Sequence, residues 1–220
     1  MAGRRGDTVN SVFGRLRQGI LAGDYAPGQR MIEADLTRDH GVSRGPVREA
    51  FRQLAAEGLI QIVPNRGAIV RKLSRKEISD LFQIRGSLEG LAAFLAAQNI
   101  DKADNRRRIR SVVGEIAELR KMQTSQGFSR ENSLLHEVIT DLAANPQLET
   151  LLRQMQLPLA RFQLRSAIDQ YHRDQSMLEH DKIIKTLLSG DAVRSEKAMK
   201  QHLQNASDRI LRFEELASER

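Results

Sequence analysis

The chain has 220 residues, 29% of them charged and 4% aromatic, with a formal net charge of +7. It contains no cysteine, which excludes disulfides, thiolate metal ligands and cysteine nucleophiles. No apolar run approaches the roughly 18 residues that a membrane-spanning helix needs, and no apolar segment typical of a signal peptide opens the sequence, so we expect a cytoplasmic protein without a membrane partner.

The basic excess is concentrated at the start of the chain. Residues 1–72 carry 12 Lys and Arg against 7 Asp and Glu, whereas residues 73–220 carry 23 against 21. The length favours two domains, which we place at residues 1–73 and 74–220. The charge asymmetry predicts a polyanion partner for the first domain, and the scarcity of aromatic residues favours double-stranded DNA over single strands.

Two helices are predicted before residue 41. Apolar residues recur at helical spacing from Val9 to Ile20, and "AGDYAPGQR" ends that pattern, so the first helix is expected over about residues 8–22. A short second helix is expected over about residues 33–39, because Gly41 ends it. Only a tight turn then precedes a third helix.

The third helix begins in the stretch "GVSRGPVREAFRQL". Ser43 is a suitable N-cap, and Pro46 falls in the first turn, where its missing N–H breaks no helical hydrogen bond. Arg44, Arg48 and Arg52 are successive i, i+4 neighbours and form a cationic ridge. The neighbouring face is apolar and is expected to pack inward, with Val47, Ala50, Phe51 and Leu54.

A β-hairpin is predicted next. The stretch "LIQIVPNRGAIVRK" is rich in β-branched residues on both sides of a turn, with a basic tip. Three helices followed by a hairpin form a winged helix-turn-helix, whose last helix enters the major groove of DNA. Arg44 and Arg48 would then reach a guanine or a phosphate, and Gly45 would permit close approach. The plainer alternative for an arginine stripe is a solvated helix face.

Residues 16–70, "LRQGILAGDYAPGQRMIEADLTRDHGVSRGPVREAFRQLAAEGLIQIVPNRGAIV", resemble the DNA-binding domain of the GntR transcriptional regulators. The resemblance implies that Arg44 and Arg48 contact an operator and that Arg66 and Gly67 lie near the minor groove. Some relatives carry a DNA-contacting arginine where this chain has Ala34, so contacts from the second helix are not expected.

The remainder of the chain has helical periodicity and no strand pattern, which predicts an all-α bundle and a mainly α protein. The basic cluster "NRRRIR" is interpreted as a solvated face. Six helices are expected, at about residues 75–98, 102–123, 128–143, 147–166, 174–189 and 192–217.

Three histidines fall within apolar stripes of these helices. His180 and His202 lie at similar distances from the turn between the last two helices, so an antiparallel pairing would let them meet. Asn132 and His136 are one helical turn apart on a single face. Taken singly, each histidine is best interpreted as a hydrogen-bonded core residue, but three together favour a metal site in the bundle.

Other polar residues differ from these three histidines in their surroundings. Arg85 lies at the centre of an apolar stripe, where a charge is costly unless it is paired, so an anionic partner is expected. His40 and His172 lack the pattern and are expected at the surface.

The patches "IRGSLEGLAA", "NSLLHEVI" and "EHDKIIKTLLSGD" resemble the FCD domain, the ligand-binding domain of the FadR branch of the GntR family, over about residues 75–216. In metal-containing members the ligands are an aspartate, a histidine one turn later and two further histidines. Here His136, His180 and His202 match, whereas Asn132 replaces the aspartate. An amide oxygen is a weaker ligand than a carboxylate, so the affinity for a divalent ion such as zinc or nickel would be reduced or its selection changed.

The resemblance also implies a carboxylate effector that coordinates the metal, with Arg85 and, less directly, Arg161 as its contacts. The expected protein is a homodimeric regulator, a repressor by this interpretation, that binds a palindromic operator and responds to a small organic acid. Two alternatives stay open: a metal-dependent enzyme fused to a DNA-binding domain, and a regulator for which the metal itself is the effector.

Overall fold

A computed structural model describes residues 3–64, 66–155 and 169–218, with side chains from residue 8 to residue 212 of those ranges. The chain divides into a compact unit that ends at Ser74 and another that begins at Arg75. The protein is mainly α-helical, as predicted, with a winged helix-turn-helix first and an all-α unit after it.

The N-terminal unit contains three helices and three strands within its described residues. Along the chain these are α1 (Gly3–Ala22), β1 (Arg30–Met31), α2 (Glu33–His40), α3 (Arg44–Ala56), β2 (Ile60–Val63) and β3 (Gly67–Val70). Helix α1 begins earlier than the expected residue 8. It packs on α3, and the core between them is fully buried. Its side chains include Val12, Leu16, Ile20, Val47, Ala50 and Leu54.

The wing has one strand that the sequence did not predict. The strand order is β1-β3-β2, with antiparallel pairing throughout, and Arg30 lies opposite Ile69. Strand β1 has only two residues, which is too short for an alternation of apolar and polar residues to be recognised in the sequence. Gly67 is required where β1 meets β3, because its φ is +91° and a Cβ there would lie 2.2 Å from the Met31 carbonyl oxygen.

A tight turn sets α3 against α2. Gly41 has a left-handed conformation with φ of 62° and ends α2. Ser43 occupies the N-cap position of α3 with an extended backbone, as predicted, although its side chain makes no capping hydrogen bond within the described residues. Helix α3 nevertheless begins at Arg44, as predicted.

The C-terminal unit contains six helices within its described residues: α4 (Arg75–Gln98), α5 (Asn105–Lys121), α6 (Ser125–Leu142), α7 (Pro146–Met155), α8 (Gln170–Leu188) and α9 (Ala192–Ser218). Helix α4 is central and packs on α9, α6, α7 and α8. Helix α8 starts before the predicted residue 174, because Asp169 caps it by accepting a hydrogen bond from the His172 backbone N–H. Part of the fourth predicted helix, 147–166, falls outside the described residues.

None of the described helices is both long enough and apolar enough to cross a lipid bilayer.

Candidate metal centre and nucleic-acid interface

The helical unit brings together three histidines from three helices. His136 comes from α6, His180 from α8 and His202 from α9, and their ligand nitrogens all lie within 4.8 Å of one another. The Nε2 atoms of His180 and His202 are 3.3 Å apart. Both of these side chains are buried, and His136 is 12% exposed. The inward-facing sides of α6, α8 and α9 therefore place the three imidazole rings next to one another.

Each histidine is held from behind by a glutamate. The Nδ1 atom of His180 lies 3.0 Å from Glu131, and that of His202 lies 2.8 Å from Glu179. His136 makes the same contact with Glu89 through its Nδ1. Because an ionised carboxylate only accepts hydrogen bonds, each Nδ1 carries a proton and donates it. Because the proton is on Nδ1, each of these histidines in its neutral form has its acceptor lone pair on Nε2.

An arginine holds each of these glutamates in turn. The Arg85 Nε atom donates to Glu89 at 2.8 Å, and Arg120 Nη2 donates to Glu131 at 3.0 Å. Arg209 Nη1 donates to Glu179 at 2.8 Å. We refer to these three series of contacts as the Arg–Glu–His chains. They join α4 to α6, α5 to α6 and α8, and α8 to α9.

Burial and these contacts fix the protonation states. Burial raises the pKa of Glu89, but the charges and hydrogen bonds of Arg85 and His136 outweigh it and lower the pKa below its usual value. The pKa of Glu131 and that of Glu179 are lowered for the same reason. Burial also lowers the pKa of His202 to about 3, against a partial opposing effect of Glu179. The glutamates are therefore ionised and His202 is neutral at neutral pH.

The arrangement suits a divalent cation. The buried His136 Nε2 has no hydrogen-bond partner among the described residues, and the lone pairs of His180 and His202 face each other. Imidazole nitrogens are ligands that zinc and nickel favour, and a carboxylate behind the imidazole is a common support at metal sites. The residues present therefore fit a metal ion.

Asn132, the fourth predicted ligand, is half-buried one helical turn before His136. Arg85 finds within this chain the anion that its position requires, since Glu89 binds it. Arg161 lies outside the described residues. The prediction for His172 is wrong: it is 5% exposed, its ring stands edge-on to Phe128, and its Nδ1 has no described partner. His40 is half-buried rather than fully exposed.

The glutamates of the Arg–Glu–His chains were not predicted from the sequence. Glu89 follows Arg85 by four residues, and Glu179 directly precedes His180, but neither spacing identifies the histidine that it supports. Glu179 bonds His202 on the next helix rather than its neighbour in sequence. A fully buried glutamate such as Glu131 can be identified only once the helices are packed.

The second candidate surface is the start of α3 with the tip of the wing. Arg44, Gly45, Arg48 and Arg52 are exposed, as is Arg66 at the tip. Gly45 has open space where a Cβ would stand, which leaves the backbone accessible there. Gly67 lies half-buried beside the tip. The wing is braced by Arg30, whose Nε donates to the Arg66 carbonyl oxygen at 3.1 Å.

The arginine ridge of α3 is less cationic than the sequence suggested. Arg48 Nε donates to Glu33 on α2 at 2.9 Å, and Arg52 Nη1 donates to Glu49 at 2.7 Å. Arg44 forms no ion pair with any residue that the structure describes. Two of the three guanidinium groups therefore have an acidic partner.

Both units of the chain are similar to known protein families. Residues 8–70 match the family model of the bacterial regulatory proteins of the gntR family, and residues 80–205 match that of the FCD domain. The chain is 28% identical to the HTH-type transcriptional repressor RspR of Escherichia coli K12 over 90% of this chain and 87% of RspR. It is 32% identical to the Nta operon transcriptional regulator of Aminobacter aminovorans over 85% and 87% of the two chains.

Solved structures agree with this assignment. A protein of Rhodococcus sp. RHA1, described as a GntR transcriptional regulator, has a TM-score of 0.69 and 25% identity, covering 92% of this chain and 97% of its own. Escherichia coli McbR/YncC shares the fold at a TM-score of 0.63 and 20% identity, over 90% and 94% of the two chains. These relatives are transcriptional regulators and not enzymes, which removes the enzyme alternative. The chain therefore belongs to the GntR family of transcriptional regulators, in the FadR-like branch that carries an FCD domain.

Proposed function

We propose that this regulator is a homodimeric repressor that binds a palindromic operator and is controlled by a small organic acid bound at a metal ion in the helical unit. The observation that carries the sensing part is the convergence of three Nε2 acceptors, each fixed by a glutamate on Nδ1. A divalent cation satisfies three facing lone pairs at once.

The metal would be held by His136, His180 and His202, with the Asn132 amide oxygen as a fourth ligand. When bound, it would supply a Lewis-acidic position for an anion. All four ligands are neutral, and the three glutamates behind them are balanced by three arginines. Both charges of a divalent ion are thus left for a bound acid to neutralise, which supports a carboxylate effector.

Arg85 is the proposed second contact of the acid. Its Nε and Nη2 atoms are engaged by Glu89, each at 2.8 Å, which leaves Nη1 for a carboxylate oxygen. Its side chain is 27% exposed, which supports access of an acid to the guanidinium. Arg161 is kept as a further contact on sequence grounds alone.

The dimer interface is proposed on α4. Ile84, Leu88, Leu91 and Leu95 are spaced by four, three and four residues, which is the seam of a coiled coil. Ile84 and Leu91 are 49% and 42% exposed, and the other two are half-buried. A second copy of the chain would cover this seam by a self-complementary contact. Two-fold symmetry then suits a palindromic operator.

DNA reading is proposed for Arg44, Gly45, Arg48 and Arg52 on α3, and for Arg66 and Gly67 at the wing. Arginine forks placed at the start of a recognition helix match guanine edges or phosphates. An acid bound in the helical unit changes operator affinity only if it prefers one of two arrangements of the dimer.

The test is operator binding measured with metal and acid varied separately. The probe is the duplex that the wild-type protein selects from a random-sequence library, and citrate, lactate and acetate serve as trial acids. We expect an acid to weaken binding only when zinc or nickel is present, and the effect to vanish in His180→Ala. If metal alone changes binding and no acid adds to it, the metal-sensing alternative is supported instead.

A further inference from the structure

The ion pair between Glu33 and Arg48 joins the second and third helices of the N-terminal unit. Glu33 is the first residue of α2, and Arg48 lies in the second turn of α3, 15 residues later. Their pair therefore spans the turn between the two helices. The Glu33 side chain is only 25% exposed, whereas Arg48 is 58% exposed. The partially buried carboxylate of Glu33 thus binds the Nε atom of Arg48, while more than half of the Arg48 side chain is exposed to solvent.

The geometry leaves the reading edge of the arginine free. Glu33 accepts from Nε at 2.9 Å, and no described residue accepts from either Nη atom of Arg48. A guanine edge is bound by two parallel N–H donors of one guanidinium fork. A fork held at its Nε by a fixed carboxylate loses less conformational freedom when it binds. The start of α2 also favours the Glu33 charge, because helix N-termini attract anions.

The pair of Arg52 and Glu49 provides the contrast. Both residues lie on α3, three positions apart, and both side chains are well exposed. Glu49 binds Arg52 within α3, the helix that would enter the groove. This pair therefore does not connect Arg52 to a second helix or strand. Glu49 therefore pairs one negative charge with an arginine of the ridge, as Glu33 does, but it does not contact Arg48.

We propose that Glu33 determines operator specificity in two ways. It positions Arg48 for one base pair, and its negative charge weakens the sequence-independent attraction of the ridge for phosphates. This inference rests on the proposed DNA reading by Arg48. It explains why two arginines of the ridge are paired with acids, since a regulator gains more from a high ratio of specific to nonspecific affinity than from affinity alone.

The experiment compares Glu33→Gln with Glu49→Gln, each of which removes one negative charge that is paired with an arginine of the ridge. The probes are the wild-type-selected duplex, its single-base-pair variants and a scrambled duplex of equal length. Both variants should bind the scrambled duplex about threefold more tightly, as expected for one unit charge removed several ångströms from a phosphate in water. Glu33→Gln alone should lose about tenfold in discrimination at one base pair of each half-site.

A second variant separates position from charge. Glu33→Asp keeps the charge but withdraws the carboxylate, so it should lose the discrimination while its affinity for the scrambled duplex stays unchanged. Circular dichroism melting would verify that each variant is folded.

Two results would overturn the inference. Equal discrimination by Glu33→Gln and Glu49→Gln, with an operator clearly selected by the wild type, would remove Glu33 from specificity while leaving the proposed function intact. Failure of the wild type to enrich any sequence would overturn the proposed operator reading, and the role of Glu33 with it.

Discussion

Both units of this protein pair arginine with glutamate, but at very different depths. On α3 the pairs lie at the surface, and Arg48 and Arg52 are more than half exposed. In the helical unit Glu131 and Glu89 are buried, and each connects an arginine to a histidine. Surface pairs contribute little to stability and exchange partners easily, whereas a buried pair that loses one member is costly. The first arrangement suits a surface that meets DNA, and the second suits a fixed site.

The largest expected effect comes from breaking a buried chain. Glu131→Ala leaves the Nδ1 of the buried His180 without its carboxylate and leaves Arg120 with Asp181 as its remaining acidic partner, so the free energy of unfolding should fall by about 4 kcal/mol. Urea denaturation measures it. Glu137→Ala is the matched control, because Glu137 is an exposed glutamate on the same helix and should cost less than about 0.5 kcal/mol. Equal costs for the two variants would contradict the buried network.

A smaller effect is expected from the pH dependence of His172. Burial, together with the charge of Arg209, lowers its pKa to about 4 from the ordinary 6.5. The unfolded chain therefore binds a proton more readily than the folded one, and stability is lost as pH falls from about 6.5 toward 4. Over this pH range the free energy of unfolding should fall by about 3 kcal/mol in total.

Urea denaturation of wild type and His172→Gln between pH 7 and pH 4 tests this. The free energy of unfolding of the variant should fall less steeply as the pH falls, and the difference in slope should correspond to up to one proton per molecule. Parallel curves would mean that His172 does not titrate as its burial implies.

The seam on α4 allows a test of what covers an exposed apolar face. Leu91→Glu would place a charge in the proposed dimer contact and should raise the dimer dissociation constant by about 30-fold or more, which corresponds to about 2 kcal/mol. Sedimentation equilibrium measures it. Leu178→Glu serves as control, since Leu178 is 64% exposed on α8 outside the seam. If both variants stay dimeric, the interface lies elsewhere.

The smallest effect concerns the DNA-reading surface. Arg48→Ala should weaken operator binding by about 1.5 kcal/mol and relax the preference at one base pair, as measured by fluorescence anisotropy with the selected duplex and its variants. Arg108→Ala, an exposed arginine of the helical unit, should change nothing. An equal loss on every duplex would show that Arg48 contacts phosphate only.

Sequence periodicity was sufficient for much of the fold. The start of α3 at Arg44 and both bounds of α4 match the predictions, because caps, turns and apolar spacing act locally. The inward direction of His180 and His202 followed from their stripes in the same way. Strand β1 was missed because its two residues gain their structure only by pairing with β3.

What the sequence could not provide is the identity of partners across helices. Arg85 was expected to need an anion, and Glu89 one turn away is a partner that i, i+4 spacing allows, but the contact of Glu89 with His136 on α6 was not predictable. His172 was placed at the surface because it does not lie within an apolar stripe, yet it is buried and packs against Phe128. Such contacts depend on the packed arrangement rather than on spacing.

The central claim is that three supported imidazoles form a metal site. Its most direct test is the metal bound per chain after equilibrium dialysis against zinc or nickel, for wild type, His180→Ala and His172→Ala. The account predicts one ion per chain in the wild type and in His172→Ala, and none in His180→Ala. An unchanged metal content in His180→Ala, or no specific ion in the wild type, would contradict it.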